Sequence, residues 1–361
     1  MVDLQAFFPF PTLAMAFTSF IGIDVSKLTI DAALYVSATQ PALHQQFENR
    51  PSGFRKLLAW VHQHDDPASL LFCLKHTEIY ALHLCCFFNQ RSLAYSLQSA
   101  LHVKRSMGIQ RAKNDKADAV MLARFAYLYR DEIKISRLPS KTLLKIQHLL
   151  AYRQRLVKNK VVLEVAAKEL ASFVDKEFST SIIRDSQKHI AQLVASVRLV
   201  DKQLHEVIAE DQEVQRTYQL ATSVTGIGLQ TAAYSLVHTQ GFKNFDNWRQ
   251  LACFAGTAPF EYTSGSSVRG RSKLSKIGHM KLKSLLSIGS NAAIQSPNEF
   301  ADYYNRKILE GKPKLVALNG VRNKLLSRVF AAVQRGTPNI KNQIDFQQSI
   351  SYQSSTLSAC F

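Results

Sequence analysis

The sequence predicts a mixed α/β domain, then a long helical hairpin, then a mainly α-helical C-terminal region. Three observations carry this reading. Strand-like and helix-like runs alternate between residues 20 and about 130. Apolar residues recur every seventh position between 140 and 215. The 361 residues include only 14 glycines and 10 prolines, about half the usual share of roughly 12%. That shortage points to long helices and few tight turns. The length suggests two or three domains, each able to bury its own core.

The elements follow in order. Phe20 to Val25 is a short apolar run, and Ile30 to Val36 and Leu43 to Asn49 follow as strands of an antiparallel meander. Pro51 to His64 reads as a helix with Pro51 in its first turn. Ser69 to His76 is a buried strand, Glu78 to Asn89 a helix, and Ser92 to Leu97 a further strand. Asn114 to Tyr129 is an amphipathic helix with Ala117, Val120, Met121, Phe125 and Leu128 on one face. This β-β-β-α-β-α-β-α order describes a mixed sheet flanked by helices.

Two heptad series come next. Leu149, Leu156, Leu163 and Leu170 form the first, and Ile183, Ile190, Val197 and Leu204 the second. A turn is expected near Ser179-Thr180-Ser181. Arg153 and Lys160 fall on seam positions, which favours an imperfect hairpin. An intramolecular antiparallel stalk and a dimerising coiled coil both fit. The divisions expected are 1–17 as an N-terminal extension, 18–135 as the α/β domain, 140–215 as the coiled-coil hairpin and 216–337 as the helical C-terminal domain. Residues 338–361 form a polar tail rich in Gln, Ser and Asn.

Charge narrows the partners. With 45 Lys+Arg against 27 Asp+Glu, the formal charge is +18, which attracts a polyanion: nucleic acid or an anionic membrane surface. A hydrophobic share of 46% excludes a disordered polybasic chain. The apolar stretch from Phe7 to Ile23 is broken by Pro9 and Pro11 and has no Lys or Arg before it, so neither a signal peptide nor a spanning helix is expected. Met15 is an alternative start. Cys73, Cys85, Cys86, Cys253 and Cys360 form no CxxC pair, so a reducing cytoplasm is expected, without a zinc site or disulfide framework.

Three acids stand out. Asp24 lies within an apolar strand, where an uncompensated carboxylate costs several kcal/mol. Asp115 and Asp118 are three residues apart at a helix start and project from one face. Such a set can converge on Mg2+, which takes carboxylate oxygens and can clamp a phosphodiester. Alternatively, Asp115 and Asp118 are first-turn acids favoured by the helix dipole.

The second cluster runs from Ser264 to His279. No acid occurs between Glu261 and Glu299, whereas Arg269, Arg271, Lys273, Lys276, Lys281 and Lys283 do. Basic, Ser and Gly residues suit close approach to phosphates. A hydroxyl there could be a nucleophile beside stabilising cations. A flexible basic loop that only positions nucleic acid fits as well. The turn Thr225-Gly226-Ile227-Gly228 is either a phosphate cradle at a helix N-terminus or a tight helix corner.

Five motifs then occur in a recognisable order: Phe20-Ile-Gly-Ile-Asp-Val-Ser-Lys27, Lys113-Asn-Asp-Lys-Ala-Asp-Ala119, Val224-Thr-Gly-Ile-Gly228, Phe254-Ala-Gly-Thr-Ala-Pro259 and Ser264-Gly-Ser-Ser-Val-Arg-Gly270. Over roughly residues 18–340 the chain resembles the DEDD-type insertion-sequence transposases related to the Piv DNA invertase, whose members include bridge-RNA-guided recombinases. The resemblance implies a RuvC-like, RNase H-type domain at 20–130, a coiled coil, and a C-terminal helical domain carrying the serine. It implies Asp24, Asp115 and Asp118 as Mg2+ ligands and Ser264 as the residue that attacks DNA; from their charge, Lys113, Arg269, Arg271, Lys273 and Lys276 are the expected nucleic-acid contacts. The resemblance also implies a homo-oligomer, a dimer or tetramer, and leaves open a guide RNA.

One departure stands against that pattern. The family's second acid lies in a Glu-x-Thr-Gly-x-Tyr pattern, where this chain has Lys75-His76-Thr77-Glu78-Ile79-Tyr80. A cation at a Mg2+ site repels the metal, and Glu78 starts too far along to replace the missing acid without rearrangement. The expected function is a DNA transposase or site-specific recombinase. The alternatives are a catalytically impaired nucleic-acid-binding remnant and a metal-dependent junction-resolving nuclease.

Overall fold

Five strands form one sheet in the order β3-β2-β1-β4-β5: β1 (Ser19–Val25), β2 (Thr29–Tyr35), β3 (Leu43–Glu48), β4 (Leu70–Lys75) and β5 (Tyr95–Gln98). The first three pair antiparallel, while β4 runs parallel to both β1 and β5. The computed structural model describes residues 17–35, 37, 42–66, 69–76, 78–108, 114–264, 268–275 and 277–339, with backbone alone at Glu78, Tyr262, Ser264, Val268, Arg269 and Arg271. The expectations for the N-terminal extension up to residue 16, for Lys113 and Lys276, and for the tail from 340 onward lie outside the described residues. The chain divides into two units, Met1–Leu138 and Pro139–Phe361.

Strand alternation sorts the first unit into two layers. Ile21, Ile23, Ile30, Leu70, Phe72 and Leu74 pack in one cluster with Phe54 and Leu57 of α1 (Pro51–His62) and with Leu84 and Phe88 of α2 (Glu78–Gln90). Phe20, Leu71 and Cys73 join Leu122 and Phe125 of α4 (Asp115–Leu128) in another cluster. The sequence reading did not include α3 (Ala100–Ser106), seven residues with one buried side chain, Val103. Cys73, Cys85, Cys86 and Cys253 are free thiols, and burial pushes the Cys85 thiol up to about 12.

The second unit begins with a hairpin of α5 (Lys141–Phe173) and α6 (Lys176–Ala209). Lys145 pairs with Glu210 and Arg153 with Asp201, which fixes an antiparallel arrangement. The turn lies at Val174-Asp175 rather than near Ser179-Thr180-Ser181. Val174 is extended and Asp175 takes the N-cap position of α6. The Thr180 hydroxyl donates to the Lys176 carbonyl one turn back, which accommodates it within the helix. Arg153 occupies its seam position because Asp201 receives it through two bonds of 2.6 and 3.0 Å, and Gln230 donates to the same carboxylate.

Leu143, Ile146, Leu150, Val200, Leu204 and Ile208, at the hairpin's base, share one core with the helices that follow. These are α7 (Gln212–Thr222), α8 (Leu229–Thr239), α9 (Trp248–Ala255), α10 (Met280–Ala293), α11 (Glu299–Leu309) and α12 (Lys314–Arg335). The expectation of a loop around Ser264 is corrected: β6 (Pro259–Ser264) and β7 (Val268–Leu274) form a two-stranded antiparallel hairpin there. No described helix is long and apolar enough to cross a membrane.

Candidate active site

The first candidate centre is written in the register of β1. Odd-numbered residues Ile21, Ile23 and Val25 enter the α1–α2 cluster, so Gly22 and Asp24 belong to the α4 side. Gly22 makes the approach of α4 possible. A Cβ built there would lie 2.0 Å from the Ala119 carbonyl oxygen and 2.2 Å from the Ala123 amide nitrogen. Only glycine admits the helix backbone this close. Asn114 caps α4 by accepting from the Ala117 N–H at 2.7 Å, which places Asp115 and Asp118 in the first turn.

The parallel pairing of Ile23 with Leu74 then sets Asp24 level with Lys75. The Lys75 ammonium donates to Asp118 Oδ2 at 2.7 Å and lies 3.2 Å from Asp24 Oδ1. All three side chains are mostly shielded, with exposures of 20% for Lys75, 15% for Asp24 and 21% for Asp118. Burial raises the Asp24 pKa; Lys75 opposes that rise, and the neighbouring charges of Asp118 and Asp115 add to it. Burial works against the Lys75 charge, yet its bonds to Asp118 and Asp24 outweigh this and raise its pKa.

Of the three aspartates expected at a metal, the structure therefore joins two, through a lysine. Asp115 is exposed. Among the described residues, no group of three or more His, Cys, Asp or Glu is placed to hold a metal ion. The residues as arranged do not fit Mg2+, because an ammonium already occupies the place between the two carboxylates. The side chain of Glu78, the other acid of that motif, is outside the description.

A fourth acid escaped the sequence reading. Asp31 is the direct cross-strand partner of Asp24, so the two share one side of the sheet. It is 3% exposed and is held by His44 Nε2 at 2.9 Å and by the Gln46 amide, which donates at 3.0 Å. Its signal was available: an acid inside the apolar run Ile30 to Tyr35, the same anomaly that singled out Asp24.

The second candidate centre is the β6–β7 hairpin. Ser264 ends β6 opposite Val268, and Thr263 opposes Arg269. Positions 269, 271 and 273 alternate along β7, and Lys273 is exposed. The turn feeding β6 is anchored from α12: the buried Thr257 hydroxyl donates to Asn323 Oδ1 at 2.7 Å. Its carbonyl accepts from the amides of Asn319 and Asn323, at 2.9 and 3.2 Å. These two asparagines, one helical turn apart, are positioning residues that the sequence reading missed.

Beyond β7, a Cβ on Gly278 would lie 2.7 Å from Gly256 Cα, and the His279 N–H donates to the Phe254 carbonyl at 2.7 Å. His279 caps α10, its Nδ1 accepting from the Leu282 N–H at 3.1 Å. Its ring centroid lies 4.1 Å from that of His238, with Tyr234 and Phe254 alongside. Burial lowers the His279 pKa from its usual 6.5. A depressed value means that the folded form disfavours the proton, so this stability is present above pH 6.5 and is lost as the pH falls through the folded pKa. Thermal unfolding between pH 7.5 and pH 5 should show a falling Tm that His279→Asn, a cap that does not titrate, makes shallower.

At the Gly-x-Gly corner, Gly226 has φ +90°, and a Cβ there would lie 2.5 Å from the Gly289 carbonyl oxygen. The converse clash, Gly289 on Gly226, is 2.4 Å. The corner is thus pressed into α10, which gives Gly226 a packing reason of its own.

Residues 21–170 match a family described as "Transposase", of the DEDD and IS110 type, and residues 218–305 match the "Transposase IS116/IS110/IS902 family". The pilin gene-inverting proteins of Moraxella bovis and Moraxella lacunata are each 27% identical to it over 331 residues, covering 89% of this chain and 97% of theirs. An uncharacterised 43.6 kDa protein of insertion element IS110 from Streptomyces coelicolor is 28% identical over 151 residues, 41% of this chain and 37% of that protein. T. thermophilus RuvC, solved with a Holliday junction substrate, aligns with 33% of this chain and 99% of its own at 11% identity and a TM-score of 0.26.

Proposed function

The chain belongs to the IS110-type transposases, and on that premise we propose that it cuts and rejoins DNA strands with Ser264 as the nucleophile. One observation carries the reading. The two matched stretches are the ones that fold into the acid-bearing β1–α4 layer and the serine-bearing basic hairpin. The serine oxygen attacks a backbone phosphorus and links the strand to the chain, and the departing strand oxygen takes up a proton. A second strand's hydroxyl then attacks the phosphoserine, frees Ser264 and completes the exchange. Arg269, Arg271, Lys273 and Lys276 are our proposed holders of the backbone phosphates, and Lys113 a further contact.

Exchange of this kind joins strands from two sites, so we propose that copies of the chain associate as a dimer or tetramer. The α5–α6 hairpin, acting as a coiled-coil arm, is the proposed seat of that association. Phe173 and Phe178 beside its turn are 86% and 66% exposed. A cytoplasmic site of action belongs to the same reading, which leaves a guide RNA open. Mg2+ held by Asp24, Asp115 and Asp118 enters no step of it.

One observation favours a second reading. Lys75 closes the acid pair, which suits a copy that binds DNA without cutting it. The experiment is incubation of the full chain with the DNA flanking its own gene, followed by denaturing electrophoresis. Protein-linked DNA that survives denaturation is the result expected of the recombinase. Salt-dependent binding with no linked product selects the second reading, and no binding at 50 mM salt contradicts both.

A further inference from the structure

We propose that Lys75 is the resident cation of the β1–α4 acid cluster, and that these carboxylates take no divalent ion in the folded chain. The lysine's place is fixed by the fold. Its Cα is paired with Gln98 of β5, its neighbour Leu74 is paired with Ile23 of β1, and the His76 N–H donates to the Gln98 carbonyl at 3.0 Å. From that anchored end of β4 the ammonium reaches one oxygen of each aspartate, at 2.7 and 3.2 Å.

A divalent ion would need those same oxygens. Mg2+ binds carboxylate oxygen at roughly 2.0–2.1 Å in near-octahedral geometry, so it cannot share the gap with an ammonium at hydrogen-bond distance. Two like charges a few ångströms apart, in a site mostly shielded from water, also repel strongly. A metal would have to expel Lys75 and leave its charge without Asp24 and Asp118. The cluster is therefore a clasp: it ties the end of β4 to β1 and to the first turn of α4 through a cation carried by the chain itself. This holds whether or not Ser264 attacks DNA.

The test is calorimetric titration of Mn2+ into the metal-stripped full chain, without DNA. Wild type and Asp118→Asn should titrate alike, because in wild type Asp118 holds the Lys75 ammonium and no divalent ion. Lys75→Glu should gain one saturable site at least about tenfold tighter than anything in wild type, and Lys75→Glu combined with Asp118→Asn should lose it. Lys75→Gln, neutral and of similar reach, carries the test if circular dichroism shows that Lys75→Glu does not fold. A wild-type Mn2+ site that Asp118→Asn removes would overturn the proposal. So would the absence of any gain in the folded Lys75 variant. Because no DNA is present, failure here is distinguishable from failure of the serine chemistry.

Discussion

Ser264→Ala should leave DNA binding within about twofold of wild type and remove protein-linked DNA altogether, a fall of at least about a thousandfold. The reason is chemical: alanine offers no oxygen to attack phosphorus, whereas the basic residues that hold the backbone are untouched. The neighbours make the prediction specific. Ser266 and Ser267 lie two and three residues on, and Ser266→Ala and Ser267→Ala should both retain the linked product. Linked DNA persisting in Ser264→Ala would move the nucleophile elsewhere.

Gly22→Val should destabilise the first unit by about 3 kcal/mol or more, seen as a loss of roughly 10 °C in its thermal transition. The obstruction is backbone rather than a flexible side chain. The added Cβ meets Ala119 oxygen at 2.0 Å, Ala123 nitrogen at 2.2 Å and the Leu122 carbonyl carbon at 2.9 Å. Relief requires α4 to move away from β1, taking Asp118 with it. The same substitution should therefore weaken the Lys75 contact on α4, and a Gly22→Ala chain should fall between the two.

Much of this architecture was legible where burial writes a period into the sequence. The β1–β3 meander and α4 follow from their apolar patterns, and the two long helices from their heptads. Asp24 declared itself by standing in an apolar strand. Other features depend on partners distant in sequence. The break at Val174-Asp175 was obscured by the Ser and Thr residues that follow, which read as a turn but lie inside α6. The β6–β7 hairpin lacks an apolar alternation, since Val268 to Leu274 is mostly Arg, Lys, Ser and Gly. Lys75 could be noticed as an anomaly from its motif alone. Only the parallel register of β1 with β4 shows that it meets two aspartates, and only the antiparallel register with β2 shows Asp31 beside Asp24.

Lys75, Asp24 and Asp118 act as one unit in the proposed clasp, and a double-mutant cycle on the Lys75–Asp118 contact reads this directly. Unfolding free energies would be measured in urea for wild type, Lys75→Met, Asp118→Asn and the double variant. A part-buried pair at 2.7 Å predicts a coupling of about 1–2 kcal/mol, with the double variant less damaged than the sum of the singles. Single effects that add to within about 0.3 kcal/mol would show that the lysine and the aspartate do not depend on one another, and would contradict the account.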